Sequence, residues 1–195
     1  MNICIFGASS DIIDEKYSKA AYDLAAKMAK RGHGLIFGGG GKGVMGATAQ
    51  AVYDNGGFVY GVAPEFMSEY NVFFKHCTKF KHTKTMAQRK TFMEDNSDAF
   101  IIAPGGIGTY EEFFEVYTLK QLGRHSKAIA LFNPYGYYDK MIDMLKNTVN
   151  EKFMNNSSLE LIKVFDDADA LLDYIENYSG EKVDVQKLRY DLKDE

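Results

Sequence analysis

Three apolar runs, Ile3-Cys4-Ile5-Phe6, Leu35-Ile36-Phe37 and Phe100-Ile101-Ile102-Ala103, show no alternation with polar residues, and each leads into a stretch of glycine or other small residues. Strands of this kind are buried on both faces, the situation of a parallel sheet wrapped by helices rather than of a sheet with one wet side. The intervening segments carry helical spacing. Tyr17, Ala20, Ala21, Leu24, Ala25 and Met28 recur on one face before Gly32 and Gly34 end the element, and a second helix runs from Gly43 to about Tyr53. Phe58 to Ala63 reads as a strand stopped by Pro64, and Lys127–Phe132 and Leu161–Phe165 read as two more. Helices are predicted over Tyr110–Leu122, Tyr137–Lys152 and Asp166–Asn177. The weakly patterned part after Pro64 reads as a loop or short strand through Thr78-Lys79-Phe80 and a helix around Thr85 to Asp95. The alternation predicts an α/β fold: one domain with a Rossmann-like, doubly wound parallel sheet over 1–180, then a charged C-terminal tail over 181–195. The small-residue loops after the three apolar strands then share the carboxyl edge of the sheet, where such folds bind ligands.

Length and composition agree with one globular unit, since 195 residues at 46% hydrophobic and 26% charged suffice for a sizeable core. The N-terminus enters a strand directly, without a basic leader, and no apolar stretch approaches bilayer-spanning length, so a cytoplasmic protein with no membrane partner is expected. Cys4 and Cys77 are too few and too unpatterned for a disulfide framework or a zinc site, and no metal or cofactor is expected. A net charge of −4 argues against nucleic acid as a partner. The charge is uneven, however. Lys75, Lys79, Lys81, Lys84, Arg89 and Lys90 occur between Tyr70 and Met93 with no acidic residue, as a solvated face or as an electrostatic approach for an anion.

The candidate chemistry concentrates in Pro104-Gly105-Gly106-Ile107-Gly108-Thr109-Tyr110-Glu111-Glu112. Glycines leave the backbone N–H groups accessible, and a helix N-terminus aims free donors and its positive dipole end at the same place, so an anion is the natural guest. Thr109 with Glu112 three residues on also reads as a capping box at a helix start. A second glycine run, Gly38-Gly39-Gly40-Gly41, leads into Gly43-Val44-Met45-Gly46. Gly41 to Gly46 matches G-x-G-x-x-G with Glu65 near the end of the next strand, which makes an NAD(P)-dependent oxidoreductase an alternative. Neither run supplies the lysine and hydroxyl of a P-loop.

The nine residues from Pro104 to Glu112 match the P-G-G-x-G-T-x-x-E motif of the LONELY GUY proteins, cytokinin riboside 5′-monophosphate phosphoribohydrolases formerly described as possible lysine decarboxylases. The chain resembles that family to about residue 180, through Gly7-Ala8-Ser9-Ser10, Gly38-Gly39-Gly40, Gly43-Val44-Met45-Gly46, the Met86-x-x-Arg89-Lys90 element, Ser97-Asp98-Ala99-Phe100, and Gln121-Leu122-Gly123 with Lys127. The resemblance implies a homodimer that hydrolyses the N-glycosidic bond of a purine nucleoside 5′-monophosphate, AMP or N6-prenylated AMP, without a metal. It implies Arg89 and Glu112 as catalytic residues, and Lys90 and Thr118 as substrate contacts. Gly105, Gly106, Ile107, Gly108, Thr109, Gly39 and Gly40 are the expected phosphate and substrate cradle. The sequence departs from the family at Gly7-Ala8, at Gly41, at Ala87 and in the basic segment from Lys75 to Lys84, the last of which bears on base specificity more than on reaction type. A carrier that keeps the loops without turnover is the other alternative, and the presence of both Arg89 and Glu112 favours the enzyme. The four histidines, His33, His76, His82 and His125, are scattered and read as structural, so no general acid is assigned.

Overall fold

A computed structural model describes residues 1–70, 72–180, 184, 185 and 188. The tail expected over 181–195 lies, apart from those three positions, outside the described residues. The strands are β1 (Asn2–Phe6), β2 (Gly34–Phe37), β3 (Val59–Pro64), β4 (Lys79–Thr83), β5 (Ala99–Ile102), β6 (Ala128–Phe132) and β7 (Lys163–Phe165). They form one sheet in the order β4-β3-β2-β1-β5-β6-β7. Every pairing is parallel, with Ile3 opposite both Leu35 and Ala99 at the centre. The chain winds outward from β1 to β4, then returns to β5 on the other side of β1. That reversal is the switch point at which doubly wound sheets open a crevice beyond their strands' carboxyl ends.

Helices α1 (Glu15–Lys30), α2 (Gly43–Asp54) and α6 (Ala168–Glu176) cover one face, while α3 (Met86–Asp95), α4 (Ile107–Gln121) and α5 (Asp139–Asn150) cover the other. The apolar runs behave as their composition dictates. Along β1, Ile3 and Ile5 enter the core under α1 and α2, whereas Cys4 and Phe6 enter the core under α3 and α4. Phe113 and Tyr117 on α4 stack on one another inside that second core. Cys4 and Cys77 are both free thiols.

The segment hardest to read from sequence forms the edge strand β4, and its charge has a structural reason. Lys79 and Lys81 are exposed on that edge, where lysines discourage pairing with another chain. Another difference concerns α4, which begins at Ile107 with Gly106 as N-cap, three residues before the expected start. Thr109 therefore lies inside the first turn and is not a cap, and the Thr109–Glu112 capping box does not form. Glu112 lies too far into the helix to reach its free amides, and its carboxylate turns to Arg89 instead. Caps with side chains occur elsewhere, at Asp14 for α1, Thr85 for α3 and Asp167 for α6.

Candidate active site

Three loops beyond the carboxyl ends of β1, β2 and β5 enclose a cleft of about 550 Å³. Its walls include Gly7 to Ser10 after β1, Gly38, Gly40, Gly41 and Lys42 after β2, and Gly106 to Thr109 with Glu111 and Glu112 after β5. Arg89 and Met86 reach in from α3, and Met67, Val72 and Phe73 close one side. The Phe73 segment is held down by its backbone. Gly41 N–H donates to Val72 O at 2.8 Å and Phe74 N–H to Gly39 O at 2.8 Å, so a short antiparallel bridge roofs the glycine run. Sequence reasoning missed this roof; the signal was the apolar Val72-Phe73-Phe74 set inside a segment with no regular period.

At the floor, Arg89 and Glu112 form a buried ion pair, Nη1 to Oε1 at 2.7 Å, with side chains only 7% and 8% exposed. Arg89 Nε donates to Val62 O, within β3, at 3.1 Å, which fixes the plane of the guanidinium. Gly38 is glycine because the guanidinium occupies the space beside it: a Cβ there would lie 2.1 Å from Arg89 Nη2. Burial pushes the Glu112 carboxyl above its ordinary range, and the neighbouring Arg89 opposes that shift. Helix α4 starts at the cleft from Gly106 with no side-chain cap and no acidic residue in its first turn, whereas the start of α2, also without a side-chain cap, gives its Met45 N–H to Ala8 O at 2.9 Å. The first amides and the positive dipole end of α4 thus face the same space as a buried carboxylate.

The expected site residues divide into two groups. Arg89, Glu112, Gly40, Gly106, Ile107, Gly108 and Thr109 all line the cleft. Gly105 lies just behind it, where a Cβ would collide with Thr109 Oγ1 at 2.1 Å, so its glycine lets the buried Thr109 fold over the loop. Gly39 also stands behind the lining, at φ +80° and against the Phe80 ring. Lys90 is turned to another side of α3 from Arg89 and pairs with Glu111 and Glu115 of α4 instead of entering the cleft. Thr118 is exposed and outside the lining, six residues past Glu112 and so on a different face of α4, about 9 Å farther along the axis. None of the four histidines lines the cleft. His33 pairs with Glu176, His76 stacks on Tyr53, and His125 Nε2 lies 2.8 Å from Val116 O. In the glycine pattern from Gly41 to Gly46, Gly43 and Gly46 serve close backbone packing, with built Cβ atoms 2.3 Å from Ser10 O and 2.4 Å from Gly41 C. Glu65, the acid that a dinucleotide site would require, is exposed and outside the cleft lining.

Residues 45–175 match the family described as possible lysine decarboxylase. A probable cytokinin riboside 5′-monophosphate phosphoribohydrolase of Oryza sativa subsp. japonica is 39% identical over 175 residues, 90% of this chain and 83% of that protein. A cytokinin riboside 5′-monophosphate phosphoribohydrolase of Arabidopsis thaliana is 36% identical over 190 residues, 97% of this chain and 89% of that protein. The chain belongs to this phosphoribohydrolase family. The fold is shared more widely than the family. The molybdenum cofactor carrier protein of Chlamydomonas reinhardtii superposes with a TM-score of 0.69 at 18% identity, covering 92% of this chain and 98% of that one. A molybdenum cofactor binding protein of Rippkaea orientalis gives 0.66 at 18% identity, covering 90% and 93%.

Proposed function

We propose that this phosphoribohydrolase family member hydrolyses the N-glycosidic bond of a purine nucleoside 5′-monophosphate, AMP or its N6-prenylated form, to the free base and ribose 5-phosphate. The observation that carries the reading is the buried Arg89–Glu112 pair in the same cleft as the uncapped start of α4. A phosphate on the amides of Gly106 to Thr109 anchors the sugar, and that binding energy positions the anomeric carbon. Cleavage develops oxocarbenium character on the ribose, which a nearby carboxylate stabilises. One Glu112 oxygen accepts from Arg89, and the other serves the ribose hydroxyls or the attacking water. Arg89 stays charged and cannot supply the proton to the base; its role is to hold Glu112 and the sugar in place. The base lies against the apolar side formed by Met67, Phe73 and Met86. Lys90, Gly39 and Gly105 act behind this set, by tying α3 to α4 and by allowing the loops their shape, and Thr118 has no place in the cleft of a single chain. The reading takes 1–180 as the catalytic unit of a cytoplasmic homodimer. No helix among the described residues is long and apolar enough to cross a membrane.

The test is incubation with AMP and with isopentenyladenosine monophosphate, with free base followed by chromatography. Wild-type protein releases base from at least one of them, and Glu112→Gln lowers kcat/KM by roughly a hundredfold or more while still binding nucleotide. Binding without release from either substrate returns the protein to the carrier reading.

A further inference from the structure

Three consecutive carbonyls at the start of the glycine motif are taken by partners outside it. Ala103 O accepts from the Tyr138 hydroxyl at 2.7 Å, Pro104 O from the Ala8 backbone N–H at 3.0 Å, and Gly105 O from the Tyr137 hydroxyl at 2.7 Å. The two tyrosines arrive from the turn after β6, which carries two left-handed residues, Tyr135 at φ 62° and Gly136 at φ 69°. A non-glycine residue in that region is uncommon and is held only by its surroundings. Here Asn133 provides the brace, with its Oδ1 accepting from Tyr138 N–H at 2.5 Å and its Nδ2 donating to Asp139 Oδ1 at 2.8 Å. The Tyr137 ring is further wedged edge-on against Tyr17 and Tyr138.

In a trans peptide the C=O of one residue and the N–H of the next point in opposite directions. A carbonyl of Gly105 held toward Tyr137 therefore sends the Gly106 N–H the other way, and Gly106 lines the cleft. Glycines on either side of that peptide give it little resistance to flipping, so its orientation needs an outside constraint. We infer that Tyr137 is a positioning residue of the anion cradle, its hydroxyl holding the Gly105–Gly106 peptide so that the Gly106 N–H faces the substrate's phosphate. Burial raises the Tyr137 hydroxyl to about 12, which keeps it a donor throughout the neutral range. The Tyr138 contact has a different consequence. The peptide after Ala103 belongs to Pro104, which has no N–H to aim, so Tyr138 secures the loop without directing a donor.

This inference rests on the reading of the α4 start as a phosphate site, and ribose 5-phosphate is the probe because it lacks the base and undergoes no glycosidic cleavage. Titration calorimetry on wild type, Tyr137→Phe and Tyr138→Phe measures ribose 5-phosphate and adenine separately. Tyr137→Phe is expected to weaken ribose 5-phosphate about tenfold and leave adenine within about twofold, the loss of one hydrogen bond to a charged ligand. Tyr138→Phe is expected to lower the melting temperature and leave ribose 5-phosphate within about twofold of wild type, since no cleft N–H depends on it. Unchanged ribose 5-phosphate affinity in Tyr137→Phe overturns the inference. So does a parallel loss of adenine, or an equal loss in Tyr138→Phe, because each signals general loosening of the loop. A wild-type protein that binds ribose 5-phosphate but releases no base from either AMP or isopentenyladenosine monophosphate overturns the proposed reaction alone. One that binds no ribose 5-phosphate overturns the cradle and this inference with it.

Discussion

Gly38 and Arg89 compete for the same space, and the glycine yields it. A methyl at position 38 would lie 2.1 Å from Arg89 Nη2 and 3.2 Å from Met45 Sδ, so Gly38→Ala forces the guanidinium off Glu112 while leaving the chain's apolar core intact. Breaking a buried ion pair costs about 3–5 kcal/mol when one partner is removed, and displacement costs part of that. The expected result is a kcat/KM reduced roughly a hundredfold, with a thermal midpoint lower by several degrees, read from base release and from calorimetry. A second residue-scale effect lies outside the cleft. Glu94 is half-buried near Glu115, and burial first, then that neighbouring charge, raises it from 4.5 to about 7. The folded protein thus binds this proton more tightly than the unfolded chain does. Its cost is absent below the unfolded value and grows as pH rises toward about 7. Glu94→Gln should match wild-type stability near pH 4.5 and exceed it near pH 8. Equal midpoints at the higher pH would show that the carboxylate carries no such cost.

The elements that matter most are the starts of α2 and α4, neither of which has a side-chain cap, and their glycines do different jobs. Gly43 at the start of α2 has φ +60°, and a Cβ there would meet Ser10 O at 2.3 Å and Ala8 O at 2.8 Å, both backbone atoms that cannot step aside. Gly43→Ala is therefore expected to destabilise the fold by about 3 kcal/mol or more, through strain and collision together. Gly108, in the first turn of α4, has no atom within 4 Å of a built Cβ. Gly108→Ala should leave stability equal or raise it by up to about 1 kcal/mol, because alanine suits a helix better. It should nevertheless lower kcat/KM, since the methyl projects toward the space assigned to phosphate. Thermal unfolding and turnover of the two variants separate a glycine kept for packing from one kept for the ligand. The strand-to-glycine-to-helix order of both elements was legible because it depends on neighbours in sequence. The first residue of α4 was not. Thr109 satisfies a local capping rule, but Gly106 becomes the cap once Thr109 folds over Gly105 and Glu112 finds Arg89.

Over the whole molecule, helices α1 and α6 are tied by charge as well as by the apolar core they share on the sheet. Arg31, just past α1, pairs with Asp169, Asp173 and Glu176 of α6, and Lys27 adds a second contact to Asp169. These groups are partly solvent-exposed, so each pair contributes only about 0.2–1 kcal/mol, and salt weakens it. Arg31→Ala should lower the thermal midpoint by a few degrees at low ionic strength, by less in high salt, and leave kcat/KM unchanged; a midpoint shift insensitive to salt would point to lost packing instead. The sequence by itself determined the fold class, since strands apolar on both sides have few places to go other than a covered parallel sheet. It also determined the glycine motif and the residue types of the site, since these are contiguous. Only the tertiary structure decided which of two adjacent basic residues enters the cleft. Arg89 and Glu112 are 23 positions apart and meet because β5 returns beside β1, while Lys90, one residue on, is turned toward Glu111 and Glu115. The angle between neighbouring side chains on a helix is set locally, but what stands opposite each one is set by the order of the strands.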